Sequence, residues 1–282
     1  YKQVDNKILG PNLNLQNIDL SGSDISNTVF NSSKMNSSIL TNTDLFGCDL
    51  SGCDLSGSNL TNTNLINTIT INAKLWPIIG KPLNLPTNQF KQLGNIILGP
   101  NMNLQSIDLS GCDISNTIFM GSNMNSAILT NTDLSGCNLS SCDLSGSNLS
   151  GVNLLNTITT QAKLWPIIGK PLNLPTNQFK QVGNKILGPY LNLQRIDLSG
   201  NDISNTIFVG SNMTVANLTN TDLSGCDLLN VDLSGSIVRN TKSWPIINKP
   251  LNLPTNQYKQ VDNKILGPNL NLQNIDLSGS DI

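Results

Sequence analysis

The chain has 282 residues, 38% of them hydrophobic and only 12% charged, with a net charge of −2. The charged share is about half of the roughly 25% usual in soluble domains, so neither a basic nucleic-acid surface nor a strongly acidic face is announced. Histidine is absent, which removes Ser-His-Asp and Cys-His catalysis and the commonest transition-metal ligand.

Repetition dominates what remains. Residues 258–282 repeat residues 1–25 without a substitution, and the proline of ILGP recurs at Pro11, Pro100, Pro189 and Pro268. Those prolines are 89, 89 and 79 residues apart, which defines a unit of 257 residues whose third module is ten residues short. The end at Ile282 falls inside a repeat, which predicts that the array continues, and the start at Tyr1 predicts that any signal peptide lies outside this sequence or has been removed. No apolar run approaches the roughly 18 residues that span a bilayer.

The chain opens on YKQVDNKIL, which reads as a β-hairpin with a two-residue Asp-Asn loop. Residues 1–75 then form a first ladder, in which an apolar residue returns every five positions, among them Leu20, Ile25, Phe30, Leu45, Leu50 and Leu55. A small residue usually lies two before it, Asp or Asn one before, and Gly or Asn two after. A period of five fits neither a helix nor a simple strand. It fits a short strand followed by a corner. The central residue and the small one two before it share one side of the strand, and Gly or Asn at the corner supplies the positive φ of a type II turn. Four corners close a coil of 20 residues, and successive coils stack at about 4.8 Å.

Residues 76–100 are a Pro-rich spacer that begins at Trp76 and contains FKQLGNIIL, a second hairpin with a Gly-Asn loop. Ladder two, residues 101–164, keeps the period through Leu109, Phe119, Leu134 and Leu144. A spacer from Trp165 (165–189) follows. Ladder three, residues 190–243, carries Leu198, Phe208 and Leu223 and is two pentads shorter. The spacer 244–268 starts at Trp244, and residues 269–282 begin the next ladder. Each spacer hairpin either covers a ladder edge or offers an arm to a neighbouring chain.

The run TDLFGCDLSGCDLSGSNLTNTNL resembles the pentapeptide-repeat family, whose units read A(D/N)LXX. The resemblance implies an all-β fold, a right-handed quadrilateral β-helix, here as three ladders. This chain places Ser, Thr or Cys where the family prefers Ala. The phrase GKPLNLPTNQFKQVGNKILGPYLNL is similar to the spacer of large pentapeptide arrays of bacteria and giant viruses. Counting thirty-seven pentads and one face per spacer gives forty faces per unit, or ten whole coils and about 48 Å. That count predicts coaxial ladders.

Little points to chemistry. The six cysteines occupy inward small positions and never lie 20 residues apart, so they read as buried free thiols rather than bridges between coils. Outward Asp residues 20 apart pair as Asp24/Asp44, Asp113/Asp133 and Asp202/Asp222. Each pair is either a solvated couple or a bridged Ca²⁺ site. No cofactor other than that ion is expected, and no catalytic residue is identified. The sequence reading is a non-enzymatic structural array that forms a filament, fibre or surface layer. Its expected partner is itself, end to end and side by side, outside the cell or on a cell or virion surface, without nucleic acid or a small-molecule ligand. The alternatives are an adhesin that uses the spacers, or a DNA mimic that binds topoisomerase.

Overall fold

The computed structural model describes residues 1–278 and Ser280; the expectation attached to Ile282 lies outside the described residues. Through each ladder the residue before the central Leu bridges its counterpart twenty positions later, always in parallel, as in Asn14 to Lys34 to Asp54 to Lys74. Two backbone bonds hold a regular step. Leu45 N–H donates to the Asn64 carbonyl at 3.0 Å, and Asn64 N–H donates to the Thr43 carbonyl at 3.0 Å. We call the columns that begin at Asn14, Asp19, Asp24 and Val29 faces I to IV; they restart at Asn103, Asp108, Asp113 and Ile118, and again at Asn192, Asp197, Asp202 and Ile207.

The corners follow from local chemistry. Cys48 N–H donates to the Leu45 carbonyl at 3.0 Å, closing a four-residue turn whose third residue, Gly47, sits at φ +64°. Asn42, Asn62 and Asn67 take the same place at φ 57–58°, a region that Gly and Asn enter at little cost. Val215 occupies it too, at φ +59°, although a β-branched residue is strained there. Ser37 and Ser126 hold that place in the other ladders. Replacing Val215 by Gly should therefore raise the stability of ladder three by about 1 kcal/mol, read as a shift of the denaturant midpoint; an unchanged or lower midpoint contradicts the strain.

The inward positions build a continuous core. Phe30, Phe119 and Phe208 are fully buried among the leucines. The departure from alanine is satisfied internally. Thr43 Oγ1 donates to the Leu20 carbonyl at 2.8 Å, Ser58 Oγ to the Met35 carbonyl at 2.7 Å and Cys137 Sγ to the Ile114 carbonyl at 3.1 Å. Each such bond reaches 23 residues back, one coil down, so these buried hydroxyls and thiols fasten coil to coil; Thr28, Thr117 and Thr206, one in each ladder, are buried without such a bond.

Four antiparallel hairpins lie among the described residues, one at residues 2–9 and one in each spacer. They are β1 (Lys2–Val4) with β2 (Lys7–Leu9), β3 (Lys91–Leu93) with β4 (Ile96–Leu98), β5 (Lys180–Val182) with β6 (Lys185–Leu187), and β7 (Lys259–Val261) with β8 (Lys264–Leu266). Each has the two-residue loop read from the sequence. Before each hairpin the ladder does not stop at the Trp-Pro step, which is cis in all three spacers. It continues through the bridges Asn59 to Ile79 and Asn64 to Asn84.

Phe90 then arrives at a central position, the hairpin leaves and returns, and Gly99 occupies the same position. A Cβ on Gly99 would collide with the Phe90 ring, and Gly188 with Phe179 and Gly267 with Tyr258 repeat the relation. Gly99 belongs to the ladder, because Ser122 Oγ donates to its carbonyl at 3.0 Å, the bond that Thr43 makes to Leu20. The hairpin therefore adds nine residues without adding a face. It packs inward across the end of the ladder: Ile97 N–H donates to the Leu75 carbonyl at 3.2 Å, Ile78 N–H donates to the Asn95 carbonyl at 2.8 Å, and Ile97 is fully buried.

The coil count from sequence is thereby corrected. Of the 89 residues from Gly10 to Gly99, nine are the insert and eighty make sixteen faces, four whole coils. Module two repeats this, and module three has fourteen faces, three and a half coils. The unit holds forty-six faces rather than forty, because each spacer carries the ladder for more than one face. The half coil has a consequence at the joints. Ladder two bonds to ladder one on face I, through Asn103 N–H to the Ala73 carbonyl at 3.0 Å, and ladder three bonds to ladder two on the same face through Asn192 and Ala162. The third joint, Asn271 N–H to the Thr241 carbonyl at 3.0 Å, stands over Lys242 in the Asp202–Asp222 column, on face III.

Candidate functional site

The acidic pairs are brought together as neighbouring bridges on face III: Asp24 with Asp44, Asp113 with Asp133 and Asp202 with Asp222. Their oxygens are engaged locally. Asp24 and Asp113 each accept the N–H of the Ser two residues on, Ser26 and Ser115, at 3.0 Å. Serine side-chain and backbone hydrogen bonds hold both carboxyls below the usual Asp range, with Lys2 and Lys91 from the hairpins adding to the effect. Asp44 and Asp133 accept Nδ2 of Asn64 and Asn153 at 3.0 Å, and Asp222 accepts Lys242 Nζ at 3.3 Å. Burial pushes the Asp222 carboxyl upward, but Ser224 and Lys242 outweigh it and hold the group low. Each pair offers two carboxylates, against the six to eight oxygens that Ca²⁺ takes, and no group of three or more potential metal ligands gathers among the described residues.

All six cysteines are free, five of them buried and Cys112 half-exposed. Burial pushes the thiols of Cys48 and Cys137 up to about 11 and those of Cys53, Cys142 and Cys226 up to about 12. Thiolate is the reactive form, so a maleimide at pH 7 should label the folded chain at Cys112 alone and the denatured chain at all six. Mass spectrometry showing rapid multiple labelling of native protein would contradict the buried ladder. The same shifts set an alkaline limit. An unfolded thiol ionises near 8.5, well before its folded counterpart. The thiols' contribution to stability is thus whole below about pH 8.5 and declines as the pH rises toward 11. The melting temperature should fall across that window, and Cys→Ala variants should flatten the decline.

The three spacer tryptophans share one environment. Lys74, Lys163 and Lys242 stand over the rings of Trp76, Trp165 and Trp244 at 4.8, 5.2 and 5.5 Å from their centroids. Trp76 Nε1 donates to the Asn103 carbonyl at 2.8 Å and Trp165 Nε1 to the Asn192 carbonyl at 2.9 Å. These two indoles thus latch the first bridged residue of the next ladder, whereas Trp244 Nε1 is buried without a partner. An open groove of about 600 Å³ lies between spacer and hairpin, lined by Gly80, Lys81, Gln92, Gly94 and Asn95. These side chains offer hydrogen bonds and one cation, but no nucleophile paired with a base.

The sequence reading missed the sorting of the outward residues. On faces I and III every bridged residue is Asp, Asn or Lys, whereas faces II and IV alternate Ile or Val with Asp or Asn, except on face II of ladder three, where Asp197 meets Asn217. The signal was present, but it shows only when residues are read in columns of twenty. No helix among the described residues is long and apolar enough to cross a membrane.

A square coil of five-residue sides with a Leu ladder inside defines a class of solenoid. The family model for pentapeptide repeats matches eight copies, over residues 14–52, 43–75, 103–140, 137–164 and 211–242. The chain belongs to the pentapeptide-repeat family, and its fold is all-β, a right-handed quadrilateral β-helix. Among solved structures it is similar to HetL, a pentapeptide repeat protein involved in heterocyst differentiation regulation from the cyanobacterium Nostoc. The two share 23% identity over 85% of this chain and 86% of that one, with a TM-score of 0.25. A trypsin-treated form of QnrB1, a plasmid-mediated fluoroquinolone resistance protein, is 16% identical over 82% and 88%, at 0.26. Rfr23 from the cyanobacterium Cyanothece is 18% identical over 57% and 91%, at 0.20. No curated protein sequence matches the chain.

Proposed function

We propose that this protein is a structural scaffold, a segment of a tandem array whose coils stack into a rigid filament, fibre or surface layer, and that it is not an enzyme. One observation carries the reading. The backbone ladder does not end at a spacer but is handed across it, from Ala73 to Asn103 and from Ala162 to Asn192. A solenoid that rebuilds its own template at each joint can be extended by repeats of the same unit. The sparse charge of the surface leaves little repulsion between neighbouring rods. The partner on this reading is the protein itself, on a cell or virion surface.

The other readings make different demands. A DNA mimic needs a continuous acidic face, yet face III mixes its Asp pairs with Asn64, Asn153 and Lys242. An adhesin would use the spacer grooves, which spacer variants would test by lost surface binding with unchanged assembly. Electron microscopy of the concentrated full chain should show rods that lengthen with concentration. Compact particles of fixed size would contradict the scaffold.

A further inference from the structure

We infer that faces II and IV are the two halves of a lateral docking surface for a second copy of this chain, lying parallel to the first. The inference rests on the scaffold reading and names its side-to-side partner. Face II presents Ile39, Ile79, Ile128 and Ile168, and face IV presents Val29, Ile69 and Ile158, all 43–57% exposed. No outward ladder position on either face is Lys or Arg, while faces I and III carry no apolar residue at all in that position. At the bridged positions, apolar side chains are thus confined to two opposite sides of a four-sided rod.

In ladders one and two the two sides match each other in pitch and in phase. On both, apolar residues recur there every second coil, about 9.6 Å apart, with Asp or Asn between; ladder three departs on face II, where Asp197 and Asn217 both precede Ile237. On face II of ladder one they fall on the second and fourth coils, at Ile39 and Ile79, whereas on face IV they fall on the first and third, at Val29 and Ile69. Ladder two repeats the arrangement, with Ile128 and Ile168 against Ile118 and Ile158. When parallel rods lie side by side at the same height, the isoleucines of one face enter the rows above the shorter Asp and Asn of the other. Few partners would offer that spacing, and the opposite side of this same chain does.

A contact between two different faces is heterologous and does not close, so it generates flat rows of rods rather than dimers. A side about 10 Å wide and about 55 Å long offers about 550 Å², less than the ~800 Å² per partner of a stable interface. The contact between two single chains is therefore weak and concentration-dependent, and it gains strength as the array lengthens.

The test uses the full chain and two double variants, Ile128→Lys with Ile168→Lys on face II and Ile69→Lys with Ile158→Lys on face IV, each checked by circular dichroism for the native melt. In sedimentation velocity the unmodified chain should associate progressively, with micrographs showing rows several solenoids wide. Each variant alone should lose at least tenfold in apparent affinity, because association needs both faces. Mixing the variants should restore pairing that stops at one of each. Variants that associate like the parent, or a mixture that does not pair, would overturn the inference. Parent rods that lengthen but stay one solenoid wide would overturn it and leave the scaffold standing; a parent that is monomeric at every concentration would overturn both.

Discussion

Phe119→Ala should cost about 3–5 kcal/mol, the range for truncating a fully buried aromatic. Phe119 is wholly inaccessible in the first complete coil of ladder two, and its main chain is tied on three sides. Its N–H donates to the Asn138 carbonyl at 2.8 Å, while its carbonyl accepts Ser122 N–H at 2.8 Å and Cys142 Sγ at 2.9 Å. That coil cannot collapse around the missing ring without disturbing these bonds, so the cavity persists and adds to the transfer cost. Because stability in a solenoid is carried by nearest neighbours, the loss should concentrate in ladder two. Hydrogen exchange would show protection falling around residues 114–142 and holding in ladder three. A loss below about 1 kcal/mol in denaturant titration would mean that the ring is not part of a packed core.

Gly99→Leu should also destabilise the chain, by about 1–3 kcal/mol, although it makes that pentad look like all its neighbours. Gly99 stands at a central position where Leu is the rule, and sequence alone would rate the change as an improvement. The Phe90 ring already fills the place where the side chain would go. Aromatic and glycine share a single site in the ladder, one supplying the side chain and the other the room. The double variant Phe90→Ala with Gly99→Leu should recover most of the lost stability, since the new Leu then fills the space that the ring vacates. Equal and additive losses in the two single variants and the double would show that the two residues do not share one site.

That pair also shows where the sequence was legible and where it was not. The five-residue period, the Asn and Gly corners and the two-residue hairpin loops each follow from a local preference, and each could be read without coordinates. The buried thiols followed too, because a small residue two before Leu must share its side of the strand. What failed was counting across the spacers. A nine-residue insert is not a multiple of five, so the phase breaks after Phe90 and resumes at Gly99 with no apolar residue to mark it. The forty-face count missed six faces for this reason, and with them the half coil that sets the third joint on face III. The sorting of Ile39, Ile69 and their counterparts onto opposite faces was hidden differently. Neighbours along the chain lie on different sides of the rod, so only columns of twenty reveal it. Val215 could not have been foreseen at all, because nothing in its own chemistry favours positive φ; its place in the repeat imposes it.

The central claim is that the backbone ladder is carried across each spacer on one face, from Ala73 to Asn103 and from Ala162 to Asn192, and cryo-electron microscopy of the full chain in its assembled form tests it most directly. The account predicts a single four-sided rod with coils about 4.8 Å apart, hairpins lying across its core after every four coils, and then one after three and a half on the opposite side. Ladders that separate at Trp76 or Trp165 and tumble as independent beads, with no density linking Ala73 to Asn103, would contradict it.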